Sequence, residues 1–176
     1  MPRHARTALI IFCSTLMLST TLKAQTDPSG GASAVAVDFS WRAAPTIFPG
    51  RYYHTATVLG DGAVLITGGR NGFTPLESVR LFDADGNAGL GSWLGGPDLA
   101  EPRERHTATW LPMDWVVIAG GIDAVPLSSA ELYNAGLATL DSLPPMNDER
   151  YEHSATLIGR TKVMVIGSKN YDKGLA

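Results

Sequence analysis

Short runs of alternating or continuous apolar residues dominate the chain and predict β-strands. Residues 54–59 alternate apolar and polar positions and include β-branched side chains, a pattern typical of a half-buried strand. A Gly-Asp-Gly turn at 60–62 predicts a tight hairpin. The apolar run at 63–67 predicts a strand covered on both faces. A third strand is predicted at 76–83 and a fourth around Trp93.

The same succession of strands recurs further along the chain. A second set is predicted at 106–111, 115–119, 130–134 and 138–141, and two more strands fall near 153–166. Four antiparallel strands form one sheet, whose two faces cannot both be buried without neighbouring sheets. Radial stacking of such sheets would cover these faces and most strand edges. The pattern therefore predicts an all-β, propeller-like protein.

Three copies of one motif accompany these strands. Each copy reads Arg-x-x-His-(Thr/Ser)-Ala-Thr, and successive copies begin 52 and then 47 residues apart. A Gly follows each motif Arg after 17 residues, and a second Gly follows it in two copies. Glycine permits a positive φ or a close backbone approach. The residues that we assign a structural role in every repeat are Arg51, His54, Gly68, Gly69, Arg103, His106, Gly120, Gly121, Arg150, His153 and Gly167.

Further residues keep a similar spacing to the motif. They are the Trp ten residues before a motif Arg, the Glu near the start of the third strand and the aromatic residue near its end. These markers are Trp41, Trp93, Glu77, Glu131, Phe82 and Tyr133, and Leu140 stands at the Trp position of the second repeat. Together with the double glycine and Arg-x-x-His, they resemble kelch repeats. Residues 93–99 (WLGGPDL) are also similar to repeats of galactose-oxidase-like propellers.

The resemblance extends from Trp41 onward and implies a partial kelch β-propeller of four-stranded antiparallel blades. It would contain the fourth strand of one blade around Trp41, two complete blades and two strands of another. The repeats would lie near 51–102, 103–149 and 150–176. Kelch propellers usually close with six or seven blades, roughly 300 residues at this period. We therefore interpret the chain as a truncated product or a fragment.

The N-terminal residues are typical of a secretory signal. A basic start is followed by an uncharged, mainly apolar stretch at 7–22 and a cleavage site after Ala24. We predict a signal peptide at 1–24, a polar linker at 25–33, and a folded part at 34–176. The protein would then be secreted, periplasmic or on the cell surface, with no stable membrane span after cleavage. An uncleaved anchor is the alternative interpretation.

Cysteine usage and charge narrow the range of partners. Cys13 is the single cysteine and lies inside the predicted signal, so the mature chain would have no disulfide and no cysteine-ligated metal. Lipidation of Cys13 is disfavoured because Phe12 stands where that processing requires a small residue. The net charge of -3 and the absence of a basic patch argue against nucleic acid as a partner.

The recurring histidines and arginines are interpreted as structural. A ring of His54, His106 and His153 around a metal is the alternative. A position that recurs in every repeat serves what every repeat needs, however, which is packing and satisfied hydrogen bonds. The motif arginines are expected to donate to loop carbonyls, which suits a planar group with five donors.

Binding residues are expected where the repeats differ. The variable segments are the connections before each first strand (42–53, 94–105, 141–152) and the loops after the glycines (70–75, 122–128). The candidate loop contacts are Tyr52, Tyr53, Arg70, Asn71, Phe73 and Tyr151, with Arg105 in place of one of the tyrosines. For 70–75 we favour a solvated turn whose Phe73 folds onto the sheet, and contact of Arg70, Asn71 and Phe73 with a partner is the alternative.

No motif for catalysis or cofactor binding is found. Phosphate-loop, nucleophile-elbow and zinc-helix patterns are absent, and residues 83–87 fit a β-turn better than a calcium loop. The galactose-oxidase resemblance implies copper chemistry that uses a cysteine cross-linked to tyrosine, which the mature chain would lack. We assign no catalytic, cofactor-binding or metal residues and expect a non-catalytic module that binds a protein or carbohydrate. The alternatives are a fragment of a galactose-oxidase-like or sugar-epimerase-like propeller enzyme without its active-site blades, and a decayed gene product.

Overall fold

The computed structural model describes the backbone of residues 10–12, 16–24 and 35–167 and the side chains from residue 43 to 167. The chain divides into two units, residues 1–47 and 48–176. The first unit contains an antiparallel sheet in the order β1-β2-β3. Its strands are β1 (Ile10–Phe12), β2 (Leu16–Ala24) and β3 (Val35–Ala43).

The two N-terminal strands fall within the predicted signal peptide. In the intact chain β2 pairs with β3 along its full length, with Leu18 opposite Trp41. Removal of residues 1–24 stays a prediction, and the predicted linker at 25–33 lies outside the described residues. Among the residues that the structure describes, no helix is long and apolar enough to cross a membrane.

The second unit begins with a four-stranded antiparallel sheet, here called the first sheet, in the order β4-β5-β8-β9. A two-residue hairpin, β6 and β7, interrupts the connection after β5. A four-residue turn, labelled α1, precedes the last strand, and its Asn87 and Ala88 have left-handed φ of 50° and 55°. Alternating and continuous apolar runs form these strands as the sequence predicts. Their bounds are β4 (Thr55–Val58), β5 (Val64–Thr67), β6 (Arg70–Asn71), β7 (Thr74–Pro75), β8 (Val79–Asp83), α1 (Gly86–Gly89) and β9 (Ser92–Gly95).

The second sheet repeats this arrangement in the order β10-β11-β12-β13, and a hairpin of two strands follows it. All neighbouring strands are antiparallel. Within the described residues the strands do not close a ring. The bounds are β10 (Thr107–Leu111), β11 (Trp115–Ala119), β12 (Ala130–Asn134), β13 (Thr139–Leu143), β14 (Ser154–Ile158) and β15 (Lys162–Ile166).

Strand register shows which residues of the two sheets are equivalent. Phe82 lies opposite Val64 in the first sheet, and Tyr133 lies opposite Val116 in the second. Trp93 then lies opposite Phe82. Leu140 takes the same place opposite Tyr133, so it replaces the Trp of the first sheet.

The predicted equivalence of Glu77 and Glu131 is wrong. Glu131 lies in β12 opposite Ile118, whereas Arg80 occupies the matching place in β8. Glu77 precedes the strand and is exposed. The connection between the first glycine and the third strand is one residue longer in the first sheet than in the second. Glu77 follows Arg51 by 26 residues and Glu131 follows Arg103 by 28, so this extra residue does not account for the difference between the two glutamates.

The hydrophobic core lies between the first and second sheets. Leu65 and Val79 of the first sheet form one cluster with Val116, Ile118 and Tyr133 of the second. All five side chains are fully buried. Burial of each such side chain contributes roughly 1.5–3 kcal/mol. Strand β10 contacts both β4 and β14. The first strands of successive repeats thus lie side by side.

Candidate functional site

Each motif arginine donates to the carbonyl of the glycine 17 residues later. The Nη1 of Arg51 lies 3.1 Å from Gly68 O, that of Arg103 lies 2.9 Å from Gly120 O, and that of Arg150 lies 3.0 Å from Gly167 O. In the two full sheets the same atom also donates to a serine carbonyl at the start of the third strand. The arginines therefore hold the loop that joins the second and third strands.

Arg103 adds a buried ion pair to this pattern. Its Nη2 lies 2.9 Å from Oε1 of Glu131, and both side chains are at most 5% exposed. Burial lowers the pKa of Arg103, and the carboxylates of Glu131 and Glu101 partly offset this effect. The other oxygen of Glu131 accepts from the backbone of Ala100 at 3.0 Å. The pair fixes the third strand against the preceding connection.

The motif histidines link neighbouring sheets. The Nε2 of His106 lies 2.8 Å from Oγ1 of Thr67 and 3.0 Å from Oγ1 of Thr55, both in the first sheet. His153 repeats this contact with Thr107 of the second sheet at 2.9 Å. Burial, followed by the charge of Arg103, lowers the pKa of His106 to about 3. His106 is therefore neutral at pH 7.

Among the residues that the structure describes, no group of three or more His, Cys, Asp or Glu side chains could hold a metal ion. Burial also lowers the pKa values of His54 and His153. The contacts of His106 and His153 join sheet to sheet.

The double glycines allow the loops of adjacent repeats to meet. The N–H of Gly69 donates to Arg103 O at 2.9 Å, and the N–H of Gly121 donates to Arg150 O at 2.8 Å. These glycines have φ of 95° and 100°. A Cβ at Gly121 would lie 2.7 Å from Glu104 O. Glycine is required here by both its backbone angle and the close approach.

Both kinds of variable loop lie at one end of the sheets. The chain enters each first strand at the same end at which it leaves the second strand, because adjacent strands are antiparallel. Tyr52 and Arg70 exchange two backbone hydrogen bonds of 3.1 and 2.8 Å. The hydroxyl of Tyr52 donates to Gly72 O at 2.5 Å. The connection before the first strand therefore supports the β6–β7 hairpin.

The residue before each motif histidine has a left-handed backbone. Tyr53, Arg105 and Glu152 have φ of 56°, 55° and 51°, a conformation that is uncommon for large side chains. The N–H of Arg105 donates to Tyr53 O at 3.0 Å, and that of Glu152 donates to Arg105 O at 2.9 Å. Such conformations persist where surrounding contacts over-determine them, and they are enriched at ligand sites.

The side chains of these three residues also contact one another. The guanidinium carbon of Arg105 lies 4.1 Å from the ring centre of Tyr53, a cation–π geometry. Arg105 also forms an ion pair with Glu152, which raises its pKa despite the opposing effect of burial. An aromatic, a cationic and an anionic residue therefore follow one another across three repeats.

Glu104 connects this row to the β6–β7 hairpin. Its Oε1 lies 3.2 Å from Nη1 of Arg70 and 3.7 Å from Nε of Arg105, and the side chain is 6% exposed. Its Oε2 is buried and has no partner among the described residues. We name this connected surface the loop rim. It consists of Tyr52, Tyr53, Arg70, Glu104, Arg105 and Glu152.

The residues predicted as loop contacts differ in their exposure to solvent. Tyr52 and Tyr53 are 43% and 49% exposed and meet edge to face, with ring centres 4.9 Å apart. Phe73 is 96% exposed beside Asn71 at the tip of the β6–β7 hairpin, so it does not fold onto the sheet. Tyr151 is buried and offers little surface to a partner.

Glu104 and Glu152 are rim residues that the sequence interpretation did not select. They occupy the two variable positions of Arg-x-x-His, where Tyr52 and Tyr53 stand in the first copy. A position-by-position comparison of the motif copies would have found both. Glu104 and Glu152 carry the charge opposite to that of Arg105, and this opposite charge could have indicated that the three residues are in contact.

A groove lies beside the third and fourth strands of the second sheet. This groove has a volume of about 350 Å³ and is lined by residues that include Glu101, Arg103, Ser129, Glu131 and Ser142. Glu131 binds Arg103 and Ala100, and Ser129 donates to Glu101 at 2.5 Å. Its charged groups are thus already engaged with one another.

The sequence and the structure were compared with those of known proteins. No protein-family model matches the sequence. Adagio-like protein 3 of Oryza sativa subsp. japonica is 27% identical over 147 residues, which cover 73% of this chain and 23% of that protein.

Among solved structures, a fungal alcohol oxidase of the AA5 family in complex with copper has a TM-score of 0.59 and 14% identity. The match covers 85% of this chain and 31% of that chain. This chain therefore spans less than a third of either protein. At this identity the likeness concerns the fold alone. The chain is accordingly similar in its antiparallel β architecture to a segment of this oxidase.

Proposed function

We propose that this chain is an exported, non-catalytic segment of a kelch-type β-propeller that binds a protein or glycan through the loop rim. The observation that carries the proposal is the convergence of both variable loop classes at one end of the sheets. The propeller assignment is supported by the equivalent Arg and His contacts of successive repeats. The similarity to segments of the Adagio-like protein and of the AA5 oxidase supports it further.

The chemistry of the loop rim suits close recognition of a polar surface. Arg70 and Arg105 are balanced by Glu104 and Glu152, so the cluster has no net charge. Tyr52 and Tyr53 remain partly exposed and offer rigid aromatic contact area. A ligand would meet stacking surfaces and fixed hydrogen-bonding groups. Recognition would therefore depend weakly on ionic strength.

Binding measurements with matched variants test this function. The full chain is screened on an array of immobilised oligosaccharides and, by cross-linking, against exported proteins of its source. Substitution of Tyr52→Ala with Arg105→Ala should weaken any binding at least about tenfold, because both contacts lie in the rim. Met113→Ala with Leu137→Ala, at exposed positions outside the rim, is the control. Binding that the rim variant retains would overturn the proposal.

A second candidate function is a segment of a galactose-oxidase-like or sugar-epimerase-like enzyme whose active-site blades lie elsewhere. The structural likeness to the fungal alcohol oxidase favours it. The coding DNA beyond codon 176 tests it directly. An in-frame continuation with further repeats that contain Tyr, His or Cys ligands would favour the enzyme. A continuation without such residues would favour the binding module.

A further inference from the structure

The tip of the β6–β7 hairpin contains an asparagine followed by a glycine. Asn71, Gly72, Phe73 and Thr74 are all exposed. Asn71 pairs with Thr74 in the two-residue ladder, and Gly72 has a φ of 58°. The asparagines elsewhere in the sequence, at 87, 134, 147 and 170, precede Ala, Ala, Asp and Tyr. The hairpin tip therefore holds a dipeptide that occurs once in the chain.

The backbone nitrogen of Gly72 is accessible to the side chain of Asn71. Beyond the neighbouring residues, no heavy atom lies within 4 Å of the point where a Cβ of residue 72 would stand. Among the described residues, the Asn71 side chain and the Gly72 N–H have no hydrogen-bond partner. The hydroxyl of Tyr52 donates to the Gly72 carbonyl instead, at 2.5 Å. Neither side-chain bulk nor a hydrogen bond therefore hinders this nitrogen.

We propose that Asn71 is a site of spontaneous covalent modification, at which the side-chain amide converts to a carboxylate. Because the Gly72 nitrogen follows Asn71 directly, it can form a bond to Cγ of Asn71 while the bond from Cγ to the amide nitrogen breaks. The amide nitrogen leaves as ammonia and takes the proton of the Gly72 N–H. Water then opens the resulting cyclic imide at either carbonyl carbon, which gives aspartate or isoaspartate.

The conversion changes both the charge and the backbone of the loop rim. Arg70, the residue before Asn71, lies 3.2 Å from Glu104 and donates to the Phe73 carbonyl at 3.0 Å. A carboxylate at residue 71 adds about one negative charge at pH 7 to a cluster whose charges otherwise balance. Isoaspartate also adds a carbon to the backbone of β6 and disrupts its register with Thr74. The modified chain thus presents an altered hairpin at the rim.

Peptide mapping of the full chain by mass spectrometry, sampled over time at about pH 8, tests this proposal. The mass change of amide to acid should accumulate at Asn71 at least about tenfold faster than at Asn134. Asn134 is the matched control, because its Oδ1 accepts from the N–H of Leu137 at 3.2 Å and Ala135 follows it. Conversion should be slower at about pH 6, since less of the Gly72 nitrogen is deprotonated. Equal conversion at the two asparagines, or none at Asn71, would overturn the proposal.

Variants and an unfolded reference separate the chemistry of the dipeptide from the effect of the fold. Gly72→Ala should slow conversion at least about tenfold, because a Cβ crowds the attacking nitrogen. Asn71→Gln should stay unconverted over the same period, because its longer side chain is less favourably placed for ring closure. The same time course in urea gives the rate of the unfolded chain. Because the tip is open, the native rate at Asn71 should lie within about tenfold of the urea rate. A native rate below that range, or an unchanged rate in Gly72→Ala, contradicts the assignment.

Discussion

The Nε2 of His106 lies 2.8 Å from Oγ1 of Thr67, a residue of the preceding sheet. The same atom lies 3.0 Å from Oγ1 of Thr55, and His153 bonds Thr107, the second-sheet equivalent of Thr55, at 2.9 Å. The motif therefore joins two repeats: its arginine holds a loop of its own repeat, and its histidine bonds the strand of the repeat before. Docking of one sheet on the next depends on a buried, neutral imidazole.

The buried imidazole of His106 should make stability depend on pH. Its pKa is lowered from 6.5 to about 3 in the folded protein, so the unfolded chain binds the proton first as pH falls. The stabilisation is complete above about pH 6.5 and is lost between pH 6.5 and about 3, by about 1.4 kcal/mol per pH unit. Urea unfolding at pH 7, 6, 5 and 4 measures this slope.

Two variants separate the titration of His106 from its hydrogen bond. His106→Gln should flatten the slope by one proton, because the amide does not titrate in this range. Thr67→Val should lower stability by about 0.5–1.5 kcal/mol at pH 7 and leave the slope unchanged. An unaltered slope in His106→Gln would contradict the assignment. His54 and His153 add to the slope in the same direction, since burial also lowers their pKa values.

Breaking the buried ion pair of Arg103 and Glu131 should destabilise the protein far more than breaking the partly exposed pair of Arg105 and Glu152. Arg103→Met leaves a buried carboxylate without its partner and should cost about 3–5 kcal/mol in the free energy of unfolding. Arg105→Met should cost no more than about 1 kcal/mol, since that pair is partly exposed. Urea unfolding of both variants provides the comparison. Similar costs for the two variants would show that Arg103 is not buried as described.

Gly120 should tolerate no side chain. Its φ is 61°, and a Cβ would lie 2.5 Å from Arg150 O and 2.8 Å from Cε1 of His153. Gly120→Ala should therefore destabilise the protein by about 2 kcal/mol or more, through both backbone strain and displacement of the next repeat. Gly72→Ala is the matched control, because its φ is 58° but the space around it is open. It should cost only about 1 kcal/mol. Equal costs would mean that the repeats are not in contact here.

The repeating parts of the fold were the most predictable from the sequence. The period locates both full sets of strands, because strand patterning is local and the same turns recur. The glycine 17 residues after Arg51, Arg103 and Arg150 marks the carbonyl that each arginine binds. Local spacing is sufficient there because donor and acceptor belong to one repeat.

Contacts between repeats could not be predicted in the same way. The partners of His106 are Thr67 and Thr55, which are fixed by how two sheets pack and not by spacing within a repeat. The left-handed backbone of Tyr53 and Arg105 could not be predicted from the sequence, because a left-handed conformation is normally indicated by glycine and not by large side chains. Glu77 and Glu131 look alike in the sequence, but only strand register shows that Arg80 is the counterpart of Glu131.

Export makes a further prediction. If residues 1–24 are a cleaved signal, the mature protein should begin at Gln25 and appear outside the cytoplasm. N-terminal sequencing of the protein from its native host measures the start. Replacement of Leu9→Arg and Ile11→Arg should retain the protein inside the cell, because charges interrupt the apolar stretch. A native N-terminus at Met1 or Pro2 would contradict cleavage.

A double-mutant cycle across the two sheets tests the central claim that each motif histidine docks its repeat onto the preceding one. Thr67→Val, His106→Gln and the double variant are unfolded in urea at pH 7. The contact predicts a coupling energy of at least about 0.5 kcal/mol between the two positions. Additive effects, with a coupling within about 0.3 kcal/mol of zero, would contradict the claim.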